Sequence, residues 1–214
     1  MKRCIIISGG DLGDQKKIKL NITPDDLIVA ADSGYLHALR LGITPHILLG
    51  DYDSMTLEEA GKTLTSATQV LRYQVEKDDT DTMLAVKVGL EHGCEEFILL
   101  GALGGRLDHT IANIQALKYL LDRGKKGMIL AGDNTAQMLC DGSMNISTEE
   151  GFKFSLFSYS ESCKGVTIKG AKYPLQDYTM TNGDPIGTSN QVQPGKTATV
   201  SVREGVLLIV TSFD

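Results

Sequence analysis

A chain of 214 residues, 42% apolar and 22% charged, is long enough for one large domain or two small ones with real cores, and its composition excludes disorder. A formal net charge of −6 without any Lys/Arg stripe speaks against a nucleic-acid surface, and Lys16-Lys17 and Lys125-Lys126 read as solvated faces. The apolar run 4–7 is too short for a signal peptide or a membrane span, so no membrane partner is expected.

In chain order, residues 4–8 predict a buried strand entering Gly9-Gly10, and 27–31 a second. The amphipathic stretch 35–41 predicts a helix ending at Gly42, and 47–49 a strand leading into an aspartate-rich turn. Residues 69–75 alternate like an exposed edge strand. A helix is predicted over 80–91, with Met83, Leu84, Val86, Val88 and Leu90 available for burial, followed by a strand over 97–100. A second strong helix over 107–121 offers Ile111, Ile114, Leu117, Leu120 and Leu121, and a strand over 128–131 closes the series. Strands alternating with helices predict a mainly parallel, Rossmann-like α/β sheet with flanking helices.

The texture changes near Asp133. Short strand-like runs follow at 135–140, 152–158, 165–169, 191–193, 198–202 and 206–210, separated by turn signals such as Asp141-Gly142 and Glu204-Gly205. The expected organisation is an α/β nucleotide-binding catalytic domain over 1–132 and a smaller all-β sandwich domain over 133–214. Cys4, Cys94, Cys140 and Cys163 lack CxxC spacing and read as small buried residues in a reducing, cytoplasmic setting.

Four aspartate-bearing signatures follow strands or precede helices: Ala31-Asp32-Ser33-Gly34, Gly50-Asp51-Tyr52-Asp53-Ser54, Asp78-Asp79-Thr80-Asp81 and Gly104-Gly105-Arg106-Leu107-Asp108-His109. Open α/β sheets place ligand groups at such strand ends. Gathered carboxylates repel unless a cation sits among them, and Mg²⁺ carrying nucleotide phosphates is the natural guest. Asp51 and Asp53, at i and i+2 of a strand end, share one face and can bracket a cation; alternatively they form a polar turn capping a helix. Asp78, Asp79 and Asp81 exceed what helix capping needs, so one or two should face the site, with Lys77 reaching a phosphate or relieving repulsion. The glycine-rich turn 101–106 suits phosphate oxygens, with Arg106 able to donate two hydrogen bonds, although it is neither a dinucleotide fingerprint nor a P-loop. Ser8-Gly9-Gly10-Asp11 and Asp32-Ser33-Gly34 open loops that cradle ribose or base, or are simple tight turns. Of the histidines, only His109 lies near these groups, as a helix-cap or packing residue.

In order and spacing these segments, together with Gly170-Ala171-Lys172-Tyr173-Pro174-Leu175 and Gly187-Thr188-Ser189-Asn190, resemble the thiamine pyrophosphokinase family over nearly the full chain. The resemblance implies transfer of a pyrophosphoryl group from ATP to the hydroxyl of thiamine, giving thiamine diphosphate and AMP. It implies Mg²⁺ and substrate carboxylates at Asp51, Asp53, Asp81 and Asp108, with Arg106 acting beside them in catalysis. ATP is expected at Asp32, Ser33, Lys77, Thr80, Gly104, Gly105 and Arg106, and thiamine at Ser189 and Asn190. The family also implies a homodimer with thiamine near the subunit interface. One departure stands out: the chain has no Trp, which some members place over thiamine, and Tyr173 lies where such an aromatic is expected. Thiamine's permanent positive charge suits an acidic site and an aromatic face. Two rivals remain, a diphosphokinase acting on a hydroxymethylpterin and a non-catalytic nucleotide-sensing module.

Overall fold

The computed structural model describes residues 2–50, 68–71, 79–147 and 151–213. They fall into two compact units, Met1–Gly132 and Asp133–Asp214.

The first unit carries six strands: β1 (Arg3–Ile7), β2 (Leu27–Ala31), β3 (Ile47–Leu49), β4 (Gln69–Leu71), β5 (Glu96–Leu100) and β6 (Lys126–Leu130). Every pairing among them is parallel, in the order β4-β3-β2-β1-β5-β6. Strands covered on both faces read as continuous apolar runs, and Ile5, Ile6 and Ile7 are all fully buried. Each such side chain contributes about 1.5–3 kcal/mol by leaving water. Among the described residues three α-helices accompany the sheet: α1 (Gly34–Leu41), α2 (Asp81–Glu91) and α3 (Leu107–Leu121). Ala38 of α1 joins Ile5, Ile7, Ile28, Ile98 and Leu100 in one core cluster. On α2, Gly89 lets the helix close onto the sheet, because a Cβ there would stand 2.5 Å from the Phe97 ring.

Both long helices bury part of the face the apolar pattern predicts, Val86 and Val88 on α2 and Leu117 and Leu120 on α3, but complete it with other residues. On α2 the buried positions are Thr82, Ala85, Val86, Val88 and Gly89. On α3 they are Asn113, Ala116, Leu117 and Leu120, at i, i+3, i+4 and i+7, whereas Ile111 is 51% exposed. Ala85, Gly89 and Ala116 take places among these because small residues allow the helix to approach closely. Below the sheet, Arg3 clamps the buried Asp26, with Nε to Oδ1 at 2.9 Å and Nη2 to Oδ2 at 2.6 Å.

The chain adds β2, β3 and β4 to one side of β1, then returns to place β5 on the other side. The chain therefore passes from β1 and from β5 toward opposite edges of the sheet, and a crevice opens at their carboxyl ends.

The second unit is antiparallel: β7 (Asn134–Ile146), β8 (Phe152–Ser158), β9 (Ser162–Lys169), β10 (Leu175–Thr181) and β11 (Ala198–Phe213). Its core holds Phe154, Leu156, Val166, Ile168, Val200 and Ile209. The turn signals at Asp141-Gly142 and Glu204-Gly205 do not end strands. They face each other as an irregularity in one long β7–β11 ladder, with Asp141 at φ 43° and its Oδ1 accepting from the Gly205 N–H at 2.9 Å. Before this bulge β11 pairs with β9, and after it with β8, which is how one strand serves two layers. The run 191–193 forms only an isolated bridge, Ala171 with Val192, while β10 escaped the sequence pattern because most of its side chains are exposed.

Cys4, Cys94 and Cys163 are buried, but Cys140 is exposed, at the bulge where the inside–outside alternation of β7 breaks.

Candidate functional site

The crevice at the ends of β1, β2 and β5 encloses about 300 Å³. Its floor is two loops stitched together by backbone: Ser8 N–H to Leu100 O at 2.8 Å, Gly10 N–H to Gly101 O at 2.7 Å, and Asp11 N–H to Leu103 O at 2.6 Å. Gly101 sits at φ +61°, and a Cβ there would lie 2.2 Å from Ser8 O, so only glycine fits this crossing. Side chains brace the floor from behind. His37 Nε2 donates to Gly10 O at 2.7 Å, while its buried Nδ1 has no hydrogen-bond partner among the described residues. Asn113 Nδ2 donates to Ala102 O at 2.8 Å, and the buried Ser8 and Thr82 hydroxyls pair at 2.8 Å.

Around this floor stand several of the residues expected from sequence. Asp32 and Ser33 line the crevice after β2, with Asp32 held at φ 49° and its N–H bonded to Leu49 O at 2.7 Å. Thr80 caps α2, its Oγ1 accepting from the Met83 N–H at 3.2 Å, and Asp81 in the first turn faces the same cavity. The positive end of α2 thus lies beside that carboxylate. Gly104, Gly105, Arg106 and His109 complete the wall where α3 begins.

Other expected residues are engaged elsewhere. Asp79 pairs with Lys87 Nζ at 2.5 Å, and that bond raises the pKa of the lysine. Asp108 is bound by Arg106 through Nε to Oδ1 at 3.1 Å and Nη2 to Oδ2 at 2.5 Å. This pairing holds the Asp108 carboxyl below its usual range and raises Arg106 further. The pair is solvent-facing, with side chains 72% and 63% exposed, so its net worth is small. Asp51, Asp53 and Lys77 lie outside the described residues. Among the described residues no three His, Cys, Asp or Glu side chains are grouped to hold a metal. The carboxylates that do line the crevice, Asp32 and Asp81, are oxygen donors of the kind a hard cation takes.

In the second unit, a hollow of about 260 Å³ is bordered by Ile168, Tyr173, Ile186, Thr188 and Asn190. Tyr173 is 57% exposed beside it. Ser189 is exposed at φ 57°, its N–H bonded to Ser155 Oγ at 3.1 Å. Asn190 is buried, and its carboxamide is committed to protein backbone: Oδ1 accepts from Tyr173 N–H at 3.0 Å and Gln191 N–H at 2.9 Å, and Nδ2 donates to Tyr173 O at 2.7 Å.

Sequence reasoning passed over His37, Thr82 and Asn113. For Asn113 a signal existed: it is the polar member of an otherwise apolar i, i+3, i+4, i+7 stripe. For His37 and Thr82 no spacing marked them, because their partners come from loops distant in sequence.

Residues 18–129 match the family model described as thiamin pyrophosphokinase, catalytic domain, and residues 143–207 match the thiamin pyrophosphokinase vitamin B1 binding domain. Thiamine pyrophosphokinase of Bacillus subtilis is 31% identical over 223 residues, covering 100% of both chains. A crystal structure of the B. subtilis protein superimposes with a TM-score of 0.87 at 30% identity and 100% coverage of both chains. That of the Geobacillus thermodenitrificans protein gives 0.83 at 27%, covering 100% of this chain and 98% of that one. Matched along its length by both domain models and by a full-length relative, the chain belongs to the thiamin pyrophosphokinase family and is an enzyme with that activity.

Proposed function

We propose that the pyrophosphoryl donor is ATP, bound as its Mg²⁺ complex in the crevice of the first unit, and that the second unit presents thiamine through Tyr173 and Ser189. The observation that carries the donor assignment is the crevice itself: a glycine turn at a helix start, with Asp81 opposite, at the switch point of a parallel sheet. Gly104, Gly105 and Arg106 are assigned to phosphate oxygens, and Asp32 and Ser33 to the nucleoside side. Asp81 and Asp108, with Asp51 and Asp53, are assigned to the cation; for Asp108 this requires exchange of its present partner, Arg106. Held by these carboxylates, Mg²⁺ would supply positive charge to offset the negative charge that grows on the transferred group.

In the reaction the thiamine hydroxyl oxygen bonds to the β-phosphorus and gives up its proton to solvent, the bond from the β-phosphorus to the oxygen bridging it to the α-phosphate breaks, and AMP leaves with that oxygen. The chain's work is positioning and charge compensation. Arg106, freed from Asp108, donates two hydrogen bonds to a phosphate, and the braced floor fixes the 101–106 turn that carries it. Homodimerisation is proposed on the family resemblance, and a cytoplasmic setting on the unbridged cysteines. No described helix is long and apolar enough to cross a membrane.

The test mixes purified protein with Mg-ATP and thiamine and follows products by chromatography. Thiamine-dependent formation of AMP and thiamine diphosphate in equal amounts is expected. ADP with thiamine monophosphate would overturn the assigned bond cleavage.

A further inference from the structure

We propose that Asn190 is a positioning residue that acts on thiamine through Tyr173, by locking the backbone from which that ring projects. The inference rests on the reading of Tyr173 as the aromatic wall for thiamine.

Asn190 is 4% exposed, and both lone pairs of its Oδ1 are used, one by Tyr173 N–H and one by Gln191 N–H. Its Nδ2 returns a hydrogen bond to Tyr173 O, so the carboxamide holds both polar groups of the Tyr173 backbone. Asn190 is itself anchored on β8, donating to Phe154 O at 2.8 Å and accepting from Phe154 N–H at 2.9 Å. Lys172 N–H adds a bond to Gln191 O at 2.8 Å, and Pro174 restricts Tyr173 to extended conformations.

This rigid connection leads to a side chain that fills no core. Tyr173 is 57% exposed and borders the 260 Å³ hollow opposite Ile186, itself 51% exposed. A buried amide spent on fixing an exposed aromatic makes sense when the ring must be ready for a ligand. Preorganising a wall removes the ordering cost at binding. A flat, cationic ring such as the thiazolium of thiamine is the chemistry such a wall recognises.

The experiment is a double-mutant cycle on the full chain, with thiamine KM, ATP KM, kcat and melting temperature measured for each variant. Tyr173→Ala is expected to raise thiamine KM about tenfold with ATP KM unchanged. Asn190→Ala and Asn190→Ser are each expected to raise it by a similar factor, since neither side chain can hold both polar groups of the Tyr173 backbone. In the Tyr173→Ala background, adding Asn190→Ala should change thiamine KM by less than about twofold. Independent effects, multiplying to about a hundredfold, would overturn the inference and leave Tyr173 as a wall. An unchanged thiamine KM in Tyr173→Ala would overturn the wall and the inference together. If Asn190→Ala does not fold, the same cycle run with Asn190→Ser, which adds no buried charge, decides by the same criterion.

Discussion

Replacing Gly101 by alanine probes whether the stitched floor of the crevice is what binds nucleotide. The residue is held at φ +61°, a left-handed conformation that costs an L side chain about 1–2 kcal/mol. The new Cβ would also stand 2.2 Å from Ser8 O, a backbone atom that cannot swing aside. One loop must shift, which endangers the bond from Gly10 N–H to Gly101 O, worth about 1 kcal/mol. The sum is about 3 kcal/mol, partly offset by the stiffer unfolded chain. Gly124→Ala is the matched control: its φ is +68°, yet nothing lies within 4 Å of an added Cβ, so only about 1 kcal/mol is expected. At roughly 2–4 °C per kcal/mol, Gly101→Ala should melt about 6–12 °C lower and Gly124→Ala about 2–4 °C lower. Thermal unfolding by circular dichroism measures this, and calorimetric titration with Mg-ATP measures binding. Nucleotide affinity should fall at least about tenfold in Gly101→Ala, as a displaced donor array implies, and stay constant in Gly124→Ala. Equal melting shifts with unchanged nucleotide affinity would refute the reasoning.

Asp81→Asn should lower turnover by on the order of a hundredfold or more while leaving the melting temperature within a degree or two; near-normal rates would remove Asp81 from the proposed cation site. Asn113→Ala should loosen the 101–106 turn and raise ATP KM with little change in thiamine KM, and an equal rise in both would assign Asn113 a general structural role. Burial opposes the charge of Asp26, but hydrogen bonds from Arg3 and Thr23 outweigh it and hold its carboxyl below the usual range. A depressed folded pKa adds stability above the unfolded value of about 3.9, and that stability is lost as pH falls through the lower folded value. Asp26→Asn should therefore be less stable at pH 7 and lose less on acidification than the parent; parallel melting curves against pH would contradict this.

The α/β half was legible because its signals are local. Thr80 before an apolar run and Gly42 after one mark helix ends whatever surrounds them, and buried parallel strands announce themselves as runs such as 4–7. The face each helix buries was only partly legible: Val86, Val88, Leu117 and Leu120 are buried as their apolarity predicts, whereas Ile111 is exposed and Ala116 buried through close packing that apolarity alone does not encode. In the second unit Asp141-Gly142 and Glu204-Gly205 carry turn chemistry, but the same left-handed backbone also makes a bulge, and only the partner strand decides between them. The site shows a similar division. Asp32, Ser33, Thr80, Asp81 and the glycine turn could be found from motif position, whereas the braces could not, because a hydrogen bond from Asn113 to Ala102 or from His37 to Gly10 leaves no trace in composition. Asn190 was visible as a residue, but its engagement with the Tyr173 backbone was not.

The 16-residue β11 pairs with β7, β8 and β9, so three strands made earlier wait on one made after them. On a ribosome the first unit has all its strands once residue 130 has emerged, but β8 has no ladder until residues 207–213 arrive. A product cut short before residue 198 would retain the six parallel strands and lose the scaffold that carries Tyr173 and Asn190 as a whole. Such a fragment exposes unpaired edges of β7 and β9, the kind of surface that chaperones and proteases recognise. Assembly of the second unit is thereby made to wait on the last of its described strands to emerge.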